Sequence, residues 1–366
     1  MTPRLARIAK ICTVTAALAL VGGACSSSDD TSTTTDTSAS GGAAATGELA
    51  CLNLNDLYAL VGPESNGFAN WTDAQALATE LGSDTTFPDA PLDITAPGTE
   101  SGTYDAFIEL ALQDTIDARV EAGKVEADEE GKVEESTRKD YGSQASDNAI
   151  LTGLEGSDTS FGWVGFAFAE EAGDALFEIE IDGGDGCIAP DAETIADGTY
   201  PLSRDLYIYV DKAQLAENPA VCEYISYYVN DGLAAVGEAG YVDMSADDIA
   251  TTQEAAVAAG ADCATGEASG TVRVTGSSTV EPISQLAKEL LNETNPDVTV
   301  DVDGPGTGDG FKAFCAGDAD VTGASRPIKD AEVTACADAG IEYVELKVAY
   351  DGITVLTNAN NPGLAG

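Results

Sequence analysis

From residue 271 onward the apolar positions switch repeatedly between a period of two and a period near 3.6. TVRVTG (271–276) alternates as a strand, and within 280–291 Val280, Ile283, Leu286, Leu290 and Leu291 share one helical face. VTVDVDG (298–304) predicts a second strand, followed by the glycine-rich turn GPGTGDG, a short helix at 311–314 and the strand ADVTGAS (319–325). IEYVELKVAYDGITVLTN (341–358) adds one or two buried strands. Alternation of this kind predicts a parallel sheet with helices on both faces.

Residues 51–200 form a second such unit. LDIT (92–95) is a strand, and SGTYDAFIELALQDTIDARVEA (101–122) is a helix start with an amphipathic run behind it. The charged stretch 121–147 predicts a solvated helix plus loop, FGWVGFAFAEEAG (161–173) a helix-like aromatic segment, and LFEIEI (176–181) a strand. After DGTYPLSR (197–204), LYIYV (206–210) is another strand, with helices expected at 219–235 and 246–259.

Composition narrows the function classes. The 366 residues carry 64 acidic and 16 basic side chains, a formal net charge of −48, with no histidine. A nucleic-acid binder or a polybasic membrane-surface protein needs the opposite balance. The missing histidine removes Ser-His-Asp and Cys-His catalysis and His-ligated zinc. At 43% hydrophobic the chain has ample material for a core.

Arg4, Arg7 and Lys10 precede an apolar run at 11–21, and Gly22, Gly23 and Ala24 lead to Cys25, the layout of a secretory leader. The small residues resemble a bacterial lipobox, which implies lipidation of Cys25. Ordinary cleavage near Ala24 is the alternative, since Gly22 stands where lipoboxes carry leucine. The low-complexity stretch 26–47 reads as a flexible tether. Of eight cysteines, Cys12 and Cys25 lie in the leader, leaving six. In an exported chain that number predicts three disulfides or, alternatively, buried free thiols. Spacing favours Cys315–Cys336, with Cys222–Cys263 and Cys51–Cys187 assigned to the rest.

Three strand-to-helix junctions carry candidate chemistry. PGTESGTY (97–104) echoes PGTGDGF (305–311), and Ser277, Ser278 and Thr279 precede the helix at 280. A helix start leaves N–H groups unpaired and carries partial positive charge, while serine and threonine add hydroxyl donors, so an oxyanion suits such a place. Each junction alone is explained by helix capping. Three of them at strand ends, split between two α/β units, point to a ligand cleft. GPGTGDG lacks the Lys-Ser/Thr of a Walker loop and, with Asp309 at the third glycine position, is not GxGxxG; no GxSxG elbow occurs.

GSSTV (276–280), GPGTGDGF (304–311), GASRPI (323–328) and SGT (101–103) together resemble the phosphate-binding proteins of bacterial ABC phosphate transporters. The resemblance implies an α/β, two-lobed periplasmic-binding-protein type II fold, each lobe a sheet flanked by helices. The family's GSSTV half comes first and its SGT half second; here the order is reversed, which reads as a circular permutation, a truncated tandem product, or halves paired in a swapped dimer. The expected organisation is a leader at 1–25, a tether at 26–47, lobe 2 at 48–200 and the family's C-terminal part of lobe 1 at 201–262. A linker at 263–270 then joins the family's termini, its N-terminal part of lobe 1 follows at 271–353, and the crossover to lobe 2 starts at 354–366.

Carried over residue by residue, the resemblance implies phosphate contacts from Ser278, Thr279, the Val280 N–H, Thr307, Gly308 and Ser325, closed from lobe 2 by Ser101, Gly102 and Thr103. Two positions depart from the family. Arg326 stands where many members carry an acidic proton acceptor, and Pro97 where they carry an arginine. Arg326 is therefore expected to supply the guanidinium, with Arg138 as second candidate and Asp309 or Glu100 as proton acceptor. The function implied is binding of inorganic phosphate outside the cytoplasm by a monomer tethered through an N-terminal lipid, and delivery to an ABC permease in the membrane. Catalysis, metal and cofactor are not implied. The alternatives are another oxyanion such as sulfate or molybdate, a secreted phosphohydrolase, or a rearranged chain without function.

Overall fold

The computed structural model describes residues 47–128, 133–170, 172–263 and 266–365. The expected leader, Cys25 and the tether up to residue 46 lie outside the described residues. Among the described residues no helix is long and apolar enough to cross a membrane.

The strands are β1 (Cys51–Asn53), β2 (Asp93–Pro97), β3 (Gly142–Gln144), β4 (Ser160–Gly165), β5 (Leu176–Glu178), β6 (Glu180–Asp182), β7 (Cys187–Ile188), β8 (Ser203–Asp211), β9 (Gly270–Gly276), β10 (Val298–Val302), β11 (Val321–Ala324) and β12 (Tyr343–Asn358). Among the described residues they form a small sheet, β1-β6-β7, and a nine-stranded one in the order β10-β9-β11-β8-β12-β4-β2-β3, with β5 alongside β12. One lobe is built on β9, β10 and β11, the other on β2, β3 and β4, and β8 and β12 run between them.

The sheet is mixed rather than parallel. β9 runs parallel to β10 and β11, and β2 parallel to β3 and β4, but β8 is antiparallel to β11 and β12, and β12 to β4. Strand–helix–strand crossovers enforce parallel neighbours within each lobe; strands that connect lobes are not bound by that rule. β12 is a single strand of 16 residues, pairing β8 with its first part and β4 with its second, and every residue from Val348 to Asn358 is buried. Such burial on both faces yields an apolar run without a period, so its length was not readable.

The same effect hid β4. The stretch 161–173 was expected to be helix-like, but Ser160–Gly165 is a strand buried at all six positions, and only Phe166–Ala169 is helical. The charged stretch 121–147 also differs: the helix Gln113–Glu121 ends at its start, and the described residues 122–128 and 133–141 are turns and loop. Helices form at Glu281–Thr294 and Ala246–Ala259 as expected; in the first, Ile283 and Leu291 of the expected face are buried, Leu286 and Leu290 are only partly so, and Ala287 is buried with them. Pro219–Asn230 is shorter than expected and gives way to a 3-10 segment, Gly232–Ala239. The helix Leu54–Val61, capped by a reciprocal Asn53–Asp56 box, had no counterpart in the sequence reading.

Three disulfides, Cys51–Cys187, Cys222–Cys263 and Cys315–Cys336, form in the pairing assigned from sequence, with Cα–Cα distances of 5.9, 6.0 and 4.3 Å.

Candidate functional site

Three strand ends of one lobe deliver hydroxyl groups to one place. β9 ends at Gly276, with φ of 132°, where a Cβ would stand 2.2 Å from the Gly323 carbonyl oxygen, so only glycine allows the turn. Ser277 N–H then donates to that carbonyl at 2.9 Å, and its Oγ accepts from Thr279 N–H at 3.2 Å. After β10, Gly306 opens the helix Thr307–Cys315. After β11, Ser325 meets Thr307, the two hydroxyls 3.0 Å apart and Ser325 N–H donating to Thr307 Oγ1 at 3.2 Å.

The other lobe answers with the helix start after β2. Ser101 Oγ accepts from Thr103 N–H at 3.2 Å, capping Gly102–Phe107, and that helix continues through a π turn at Ile108–Leu112. The lobes touch here. Ser278 Oγ donates to Asp105 at 2.7 Å, and Thr279 Oγ1 lies 3.5 Å from the Gly102 carbonyl oxygen. Between them is a cavity of about 530 Å³, lined by Ser277, Ser278, Thr279, Thr307 and Ser325 from one side and by Tyr104, Asp105, Glu109 and residues 133–136 from the other.

Among the described residues, Arg204 at the start of β8 brings a cation beside this cavity, lining the adjoining one. Its side chain is 9% exposed; Nε donates to Asp351 at 3.1 Å, Nη2 to Thr279 Oγ1 at 3.0 Å, and Nη1 to Glu109. Burial alone would lower the guanidinium, but Asp351 and Glu109 beside it raise it above its ordinary value, so it stays charged. Asp351 sits opposite Arg204 on β12, and burial pushes its carboxyl up against the pull of Arg204. Burial likewise raises Asp105, opposed by the Ser278 hydroxyl.

Of the residues expected at the anion, Ser278, Thr279, Thr307 and Ser325 line this cavity. Val280 N–H does not reach it: it donates to the Ser277 carbonyl at 3.1 Å, because the chain closes a turn there before entering the helix. Gly308 is exposed on the first turn of its helix. Ser101, Gly102 and Thr103 are absent from the lining: Ser101 caps its own helix through Thr103 N–H, and Gly102 sits at the lobe contact, where a Cβ would lie 3.1 Å from the Ser278 carbonyl oxygen and 3.2 Å from Thr279 Cα. Arg326 lines an adjoining cavity of about 580 Å³ together with Arg204, Glu109 and Ser325, and both its Nη atoms donate to Glu332, at 2.9 and 2.8 Å. Arg138 is a strut: it is buried, and its donors go to Asp140 and to the carbonyls of Phe68 and Leu60. Asp309 pairs with Lys312 at 2.8 Å, and Glu100 lines a smaller pocket beside Arg138. The carboxylates at the cavity are instead Asp105, Glu109, Glu134 and Glu135.

Sequence reasoning missed Arg204, Glu109 and Asp351. The one available signal was a lone arginine at the mouth of the apolar run 206–210 in an acid-rich chain. Hydroxyls from three strand ends and a buried guanidinium together form a donor set for a small oxyanion.

A family model described as PBP superfamily domain matches residues 25–232 and 262–364. Among curated proteins, Protein SphX of Synechocystis sp. is 41% identical over 159 residues, 43% of this chain and 42% of that protein. Protein SphX of Synechococcus elongatus is 50% identical over 91 residues, 25% of this chain and 27% of its own length. The phosphate-binding protein PstS of Staphylococcus saprophyticus is 44% identical over 102 residues, 28% of this chain and 32% of its own length. The matched stretches thus span less than half of each of these relatives. Among solved structures, a phosphate-binding protein of a phosphate ABC transporter from Streptococcus pneumoniae superposes with a TM-score of 0.55 at 22% identity, covering 74% of this chain and 90% of that one. That likeness concerns the fold.

Proposed function

The chain belongs to the PBP superfamily, and on that premise we propose that it binds inorganic phosphate outside the cytoplasm and passes it to an ABC transporter permease. The observation that carries the proposal is the convergence of Ser278, Thr279, Thr307 and Ser325 around one cavity between two lobes, with Arg204 donating to Thr279 from the adjoining cavity that Ser325 also lines. Hydroxyl and guanidinium donors can surround a tetrahedral dianion, and a two-lobed cleft can close over it and release it. The name of the relative PstS, a phosphate-binding protein, supports the same ligand. The proposal assigns no catalysis. It includes a lipid tether at Cys25 and a monomeric chain.

We also propose that the halves are permuted, with the organisation expected from sequence. Two observations support it. Gly47 N–H donates to the Leu364 carbonyl at 3.2 Å, so residues far apart in sequence meet where the family's chain would run through. The segment joining the helix Ala246–Ala259 to β9 is anchored by Cys222–Cys263 and by Glu223, whose carboxylate accepts from Gly266 N–H at 2.5 Å and Ala268 N–H at 2.9 Å.

Titration calorimetry of the mature chain with phosphate and with sulfate tests the function. Saturable phosphate binding with weaker or no sulfate binding is expected; absence of phosphate binding, or preference for sulfate, overturns it.

A further inference from the structure

The donors at the proposed anion site already hold a carboxylate. Glu109 Oε2 accepts from Arg204 Nη1 and lies 3.4 Å from Ser325 Oγ. One of these donors belongs to a strand running between the lobes and the other to the lobe opposite Glu109, so one oxygen is gripped as a ligand oxygen would be. We propose that the Glu109 carboxylate is an internal occupant of the anion position, which an incoming oxyanion must displace, so that Glu109 sets the affinity of the site without choosing among anions.

Charge supports this reading over a plain structural ion pair. Arg204 has a buried partner in Asp351, which is 4% exposed, and needs no second carboxylate to be neutralised. With Glu109 added, one guanidinium serves two carboxylates, and the excess negative charge lies where an anion is to bind. The departure of Glu109 relieves it, and the bonds of Arg204 to Asp351 and Thr279 do not depend on Glu109.

Glu109 can also leave. Its side chain is 51% exposed, and it lines both the 530 Å³ cavity and the 580 Å³ cavity beside it, so there is room on either side. It sits on the π turn Ile108–Leu112, a helical irregularity frequent at functional sites. Asp105, one turn earlier and latched to Ser278 at 2.7 Å, holds the lobe contact independently of Glu109.

The inference rests on the anion-site reading above, and its test separates the two. Phosphate and sulfate dissociation constants are measured for the wild type, Glu109→Ala and the near-isosteric Glu109→Gln, and melting temperature is followed with added acetate or formate. Loss of a displaceable charged competitor is expected to tighten both anions about tenfold or more, leaving their ratio unchanged, with Glu109→Gln intermediate. Millimolar acetate is expected to raise the melting temperature of Glu109→Ala and not of the wild type, by refilling the vacated carboxylate position. If acetate stabilises Glu109→Ala while no protein binds phosphate, the internal occupant stands and the phosphate reading falls. If the wild type binds phosphate but the variants bind it equally or more weakly, or shift the phosphate-to-sulfate ratio, the occupant is refuted and the phosphate reading survives.

Discussion

Arg204 gives the sharpest test of the assigned site, because its guanidinium does two jobs that a double variant can separate. It neutralises Asp351 at 3.1 Å and presents charged donors at Thr279 and Glu109. Arg204→Gln alone strands a buried carboxylate, which costs about 3–5 kcal/mol. Global stability is commonly only about 5–15 kcal/mol, so lost binding in that variant would be confounded by unfolding. Arg204→Gln with Asp351→Asn removes both charges and restores most of the stability, because a neutral pair carries no such penalty. The donors to the anion stay missing. One charged hydrogen bond is worth about 1.5–3 kcal/mol, so phosphate affinity is expected to fall about 10- to 150-fold in the double variant. Urea unfolding and calorimetry on the same preparations, with Asp351→Asn alone as control, supply both numbers. Arg326→Ala should weaken binding by less than about fivefold, since a partly exposed, already paired charge is worth about 1 kcal/mol at most. A folded double variant that binds phosphate like the wild type, or a larger loss from Arg326→Ala, would refute the assignment of Arg204.

Three further outcomes follow from the fold and its charge. Burial works to raise the Glu223 carboxyl, but N–H donors from Gly266 and Ala268 outweigh it and hold it below its ordinary value; Arg138 does the same for Asp140 against the smaller pull of burial. Such groups lend stability above the usual carboxylate range near about pH 4 that is lost as pH falls through their lowered native values, so urea midpoints should drop there and Glu223→Gln should flatten the slope. An unchanged slope in that variant would count against the clamp. Serine at both Cys222 and Cys263 opens a crosslink spanning 41 residues and should cost about 4 kcal/mol by loop entropy, read from denaturant unfolding; a loss below about 1 kcal/mol would mean that the Glu223 contacts alone anchor the joint. A net charge of −48 repels an incoming anion, so inert salt should raise the phosphate association rate in stopped flow, and a fall would show that local attraction governs encounter.

The lobe that holds β9, β10 and β11 was legible because its strands and helices are short, alternate cleanly and carry glycine at each turn. Ser278, Thr279 and Thr307 lay at strand-to-helix junctions that the pattern marked, whereas Ser325, and the anion-binding role of all four, came from the family resemblance; strand ends of one sheet meet, and all four line one cavity. The misses have separate causes. β4 is buried on both faces, which erases the alternation that marks a strand, and the same burial left open whether 341–358 held one strand or two. Arg204 and Asp351 are paired across β8 and β12, 147 positions apart in sequence, and no local pattern records such a partnership. Arg138 and Arg326 were named from their neighbours in sequence, whereas their donors are directed by Asp140 and Glu332, which sit within a few residues and claim them first.

If the chain binds an oxyanion as proposed, the position of Arg204 also explains how so acidic a protein would hold it. Distant carboxylates are screened over a Debye length of about 8 Å, and a buried guanidinium is screened far less, so the local donors decide affinity. Arg204 is fixed from behind by Asp351 on the neighbouring strand running between the lobes, touches Thr279 in one lobe and Glu109 in the other, and so senses the spacing of both. An oxyanion that takes the place of Glu109 exchanges a contact within the chain for one through the ligand, while Asp105 and Ser278 keep the lobes in register. On these two proposals closure and binding would be coupled through one side chain, and the coupling energy would be the difference between the carboxylate that leaves and the anion that arrives.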